Sequence, residues 1–66
     1  MYRAKAEPMP GNNPRVGDKS GLWRVAVYER GSGSIIQEKL LNYHAENLSY
    51  EEAFDLASNL NSTLNG

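Results

Sequence analysis

The sequence predicts a small α+β domain, with two or three antiparallel strands and one C-terminal amphipathic helix packed on one face of the sheet, in β-β-β-α order. Three observations carry this reading. A helix start signal opens a periodic apolar stripe near residue 49, a strand-like run lies between glycines 21 and 31, and a chain of 66 residues has room for one small core.

The helix is the firmest element. The Ser49 hydroxyl can accept from the N–H of Glu52 while the Glu52 carboxylate reaches back to the N–H of Ser49, with Leu48 placed as a hydrophobic staple. Tyr50, Ala53, Phe54, Ala57, Leu60 and Leu64 then recur at helical spacing, so one face demands cover. The helix is expected from about Ser49 to Leu64, with a frayed last turn because Asn59, Asn61, Ser62 and Thr63 are poor helix formers.

Leu22 to Glu29 is the best strand, being rich in β-branched, aromatic and apolar residues. Alternation places Trp23, Val25 and Val27 towards the core and Leu22, Arg24, Ala26 and Tyr28 towards solvent. Residues 1 to 7 alternate more weakly, with Tyr2, Ala4 and Ala6 inward and Arg3, Lys5 and Glu7 outward. Between these strands, Pro8 to Gly21 holds three prolines and three glycines in fourteen residues and reads as a mobile loop within the single domain 1–66. Arg30 to Ser34 is a turn of hairpin length.

The segment from Ile35 to Leu41 is ambiguous. Ser34 and Gln37 could form a second capping box, and Ile36, Leu40 and Tyr43 share a helical face. A strand over Ile35 to Leu41 is favoured, because the strand before it otherwise lacks an adjacent partner for its backbone groups. The expected core is then Trp23, Val25, Val27, Ile36, Leu40, Phe54, Ala57 and Leu60, and truncating Phe54 to Ala is expected to cost about 3 to 5 kcal/mol.

The residues offer little for catalysis or metal binding. There is no cysteine and a single histidine, His44, in a polar stretch read as the connection into the helix, so neither a thiolate zinc site nor an organised nucleophile and base is legible. Gly31-Ser32-Gly33-Ser34 lacks the Lys-Ser or Lys-Thr of a phosphate loop, and Glu51, Glu52 and Asp55 suit the positive end of the helix dipole rather than a calcium loop. No enzyme activity, cofactor or metal is expected, nor any membrane association. The absence of a signal-like or membrane-length apolar run makes the cytoplasm the default compartment.

Charge is unevenly distributed, with +3 over residues 1 to 30 and -4 over residues 31 to 66. In the predicted sheet, Arg3, Lys5, Arg24, Tyr28 and Lys39 project away from the helix, and this is the candidate face for nucleic acid or another partner. The pattern of a Gly21-Leu22-Trp23-Arg24-Val25 strand and a Tyr50-Glu51-Glu52-Ala53 helix start resembles that of the small DNA-binding arm domains of phage integrases, which carry more basic residues on the sheet. No family assignment follows from it. A small core without disulfide or metal favours a non-enzymatic protein-interaction module that forms a homo-oligomer through a strand edge or exposed apolar surface. A weak nucleic-acid binder is the alternative.

Overall fold

The computed structural model describes residues 2–31 and 37–64, which form three strands and one helix: β1 (Tyr2–Pro8), β2 (Trp23–Arg30), β3 (Glu38–Leu48) and α1 (Tyr50–Leu64). The strands make an antiparallel sheet in the order β1-β2-β3, with α1 packed on it. This is the α+β arrangement expected from the sequence. No helix among the described residues is long and apolar enough to cross a membrane.

The helix begins as its start signal requires. The Glu52 N–H donates to Ser49 Oγ and the Ser49 N–H donates to Glu52 Oε1, each at 3.2 Å, and the Ala53 N–H reaches the Ser49 carbonyl at 2.9 Å. Leu48 is half-buried against the core, in the staple position. Near the end of β3, between the pairs Val25–Ala45 and Trp23–Leu48 where the register shifts, Asn47 takes a left-handed φ of 58°. Asparagine tolerates that conformation better than most residues.

β1 and β2 pair in unbroken register from Tyr2 opposite Glu29 to Pro8 opposite Trp23. The connection between them is hydrogen-bonded at its neck: the Met9 N–H donates to the Leu22 carbonyl, and the Asn12 side-chain amide donates to the carbonyls of Ser20 and Leu22 at 3.3 and 3.0 Å. Gly21 makes this closure possible. Its φ is +81°, and a Cβ there would lie 2.4 Å from Asn12 Oδ1.

The third strand corrects the sequence reading. It runs from Glu38 to Leu48, beyond the expected Ile35 to Leu41, and takes in His44, which the sequence reading places in the connection into the helix. Ile36 lies outside the described residues. The pairing of β2 with β3 shifts register three times, so alternation along β3 is broken. Leu40 consequently stands opposite Tyr28, on the face away from the helix, and is 40% exposed rather than part of the core.

The core is smaller and richer in alanine than expected. Ala4, Trp23, Val25, Ala53 and Ala57 are buried together, ringed by half-buried Ala6, Leu48, Tyr50, Leu56 and Leu60. Trp23, Val25 and Ala57 were expected there. Val27 is only half-buried, Leu60 belongs to the rim, and Phe54 is 44% exposed. Phe54 is excluded because Ala53 and Ala57 bring the helix backbone close to the sheet, and a phenylalanine on the flank of so close a contact is pushed out to its edge. Its truncation therefore removes much less buried surface than the sequence reading supposed.

The outer edge of β1 is closed by the helix. The Ala4 N–H donates to Asn61 Oδ1 at 2.7 Å, and Asn61 Nδ2 donates to the Ala4 carbonyl at 3.0 Å, so one amide side chain occupies the place of a neighbouring strand. An exposed row of backbone groups invites pairing with another chain, and this bridge removes part of it. Asn61→Ala is expected to lower stability by about 1 to 2 kcal/mol through loss of the two bonds, whereas Asn59→Ala on the exposed side should be close to neutral. Urea denaturation midpoints of the two variants check this.

Candidate functional site

The register places Arg3, Lys5, Arg24 and Tyr28 together on the sheet face away from the helix, as the sequence suggested. Lys39 does not join them. It stands opposite Glu29, one residue out of phase with Tyr28 and Arg30, and so lies on the helix side. The displaced β3 instead brings Glu38, Leu40 and Tyr43 to the outer face, with Glu7 contributed by β1.

Most of these side chains pair with one another, although Arg24 Nε is buried without a hydrogen bond. Lys5 Nζ lies 2.7 Å from Glu38 Oε1 and 5.0 Å from the centre of the Tyr28 ring. The Arg24 guanidinium stacks 4.0 Å above the Tyr43 ring, and its Nε is 3.6 Å from Glu7 Oε1. The Tyr28 hydroxyl donates to the other oxygen of Glu7. Beneath this layer Ala26, opposite both Lys5 and Tyr43, is fully buried although it faces away from the helix. Two cations of the predicted basic face are thus neutralised by carboxylates and laid over aromatic rings. Sequence reasoning missed Tyr43 because the expected strand ends at Leu41, and Glu38 because alternation puts it on the face of Ile36 and Leu40, expected in the core.

The same bonds set the titration of the face. Lysine donation from Lys5 holds the Glu38 carboxyl below its usual value. Donation to Glu7 is the main cause that pushes the Tyr28 hydroxyl up from 10.0 to about 12, with burial and the negative charge of Glu7 adding to it. A pKa raised on folding means that the associated stability is present below about pH 10 and is lost as pH rises through the folded value. Tyrosinate absorbance during alkaline titration should therefore show a late step near pH 12 that Tyr28→Phe abolishes.

A second surface lies where α1 begins. Trp23, Tyr50 and Phe54 form an aromatic cluster, with the Trp23 and Tyr50 rings edge to face at 5.0 Å, Tyr50 and Phe54 at 4.4 Å, and Trp23 and Phe54 at 5.9 Å. Trp23 is held from its other end by its Nε1–H, which donates to the Ser20 carbonyl at 3.2 Å. Lys19 lies over the Tyr50 ring at 5.2 Å. The spacing of Tyr50 and Phe54 was visible in the sequence as a core signal; the open position of Phe54 was not. Among the described residues there is no enclosed cavity and no group of three or more side chains able to hold a metal ion.

Comparisons of the chain with protein families, with curated proteins and with solved structures give no match.

Proposed function

We propose that this chain is a non-enzymatic protein-interaction module that contacts its partner through the aromatic surface at the start of α1. The observation that carries the reading is Phe54: a large aromatic side chain stacked on Tyr50 and Trp23 yet 44% exposed. Aromatic side chains anchored on a rigid support are the residues that dominate protein contacts. The two strand edges are less suited to the task, since β1 is bridged by Asn61 and β3 is irregular in register. Nucleic-acid binding by the outer sheet face is the weaker reading, because Lys5 and Arg24 already have carboxylate neighbours and Lys39 lies on the other side.

Affinity capture from the native host with wild type and Phe54→Ser as baits tests the proposal. Proteins held by wild type, the chain itself included, should be lost with the variant while its circular dichroism spectrum shows it still folded at the capture temperature. Equal retention by both baits refutes the aromatic contact surface. Binding to duplex DNA that weakens steeply with salt would favour the sheet face instead.

A further inference from the structure

We infer that the occupant of the aromatic surface is a second copy of this chain, arranged about a two-fold axis that passes close to Phe54. The inference rests on the proposed function and adds the identity of the partner. A two-fold contact is made by the same patch on both copies, so the patch must be complementary to itself. Charge provides that complementarity. Lys19 lies over Tyr50 on one part of the patch, while α1 carries Glu51, Glu52 and Asp55 and has neither lysine nor arginine anywhere between Tyr50 and Leu64.

Helical spacing fixes where the carboxylates lie. Glu51 precedes Phe54 by three residues and is followed by Asp55 four residues later, so both border Phe54 on the side away from buried Ala53 and Ala57. An apolar centre with a cation on one flank and carboxylates on the other can be rotated onto itself so that Lys19 of each copy meets Glu51 or Asp55 of the other. A purely basic partner would meet Lys19 unfavourably, and a purely acidic one would meet the helix unfavourably. A footprint of about 800 Å² per copy, usual for stable pairs, is roughly a sixth of the 4742 Å² surface. The aromatic rings must therefore be joined by Lys19 and the acidic flank to fill it.

Two measurements on the full chain test this. Sedimentation equilibrium should show a wild-type dimer, and Lys19→Glu and Glu51→Lys should each weaken it by at least tenfold, while an equimolar mixture of the two variants regains association as a mixed pair. Separately, Phe54 is replaced by the photoreactive aromatic benzoylphenylalanine and irradiated, first as purified chain and then in the native host. An adduct of twice the chain mass in both settings supports the inference. A monomeric wild type at high concentration, or a mixture no tighter than its components, overturns it. An adduct in the host only with a different protein also overturns it but leaves the interaction surface standing, whereas no adduct in either setting removes both. Circular dichroism melts confirm that each variant is folded before it is scored.

Discussion

Trp23→Ala is expected to leave the chain largely unfolded at room temperature. Trp23 is 7% exposed, sits at the start of β2 opposite both Pro8 and Leu48, and so couples all three strands at one end of the sheet. Its ring is the surface against which Tyr50 and Phe54 pack, and its Nε1–H fixes Ser20 at the neck of the connection from β1. Truncating a buried tryptophan costs about 3 to 5 kcal/mol, and a domain of this size rarely holds more than about 3 to 5 kcal/mol in its core. Phe54→Ala should cost no more than about half as much, because nearly half of that side chain is already in water. Far-ultraviolet circular dichroism with thermal melts separates the two. A Trp23→Ala variant melting near wild type, or a Phe54→Ala variant more damaged than it, would contradict this division of the core.

Those two aromatic residues also show where the sequence was readable. The start and extent of the helix were legible, because Ser49, Glu52 and Leu48 announce its start through local chemistry that depends on no distant partner, whereas its last turn is helical to Leu64 rather than frayed. β2 was legible because eight consecutive residues favour an extended chain between two glycines. β3 was displaced because its irregular pairing, with a left-handed residue at Asn47 inside the strand, breaks the two-residue alternation on which a strand is recognised. The candidate face was legible for β1 and β2, whose register is regular, and failed at Lys39 for the same reason that β3 was displaced. Side-chain size misled most at the core. Large apolar residues were assigned inward, yet closeness of helix and sheet is set by the smallest residues at their contact, and Phe54 and Leu40 were left outside.

That alanine contact makes insertion of volume as damaging as its removal. Ala53→Leu should destabilise the fold by about 1 to 3 kcal/mol, although leucine is a good helix former and more apolar than alanine. Ala53 has no exposed surface and lies in the same cluster as Val25, Ala4 and Trp23, so three added carbons can be housed only by moving α1 away from the sheet. Such a movement would also stretch the paired bonds between Asn61 and the backbone of Ala4 at the far end of the same helix. Ala57→Leu should be milder, since Ala57 retains 6% exposure and is nearer the rim. Ser58→Leu, on the exposed side, adds apolar bulk without touching the contact and should leave the urea midpoint almost unchanged. The expected order of midpoints is therefore wild type and Ser58→Leu highest, then Ala57→Leu, then Ala53→Leu. If Ala53→Leu matched or exceeded wild type, the helix and sheet would have room between them, and the exposure of Phe54 would need a cause other than their close approach.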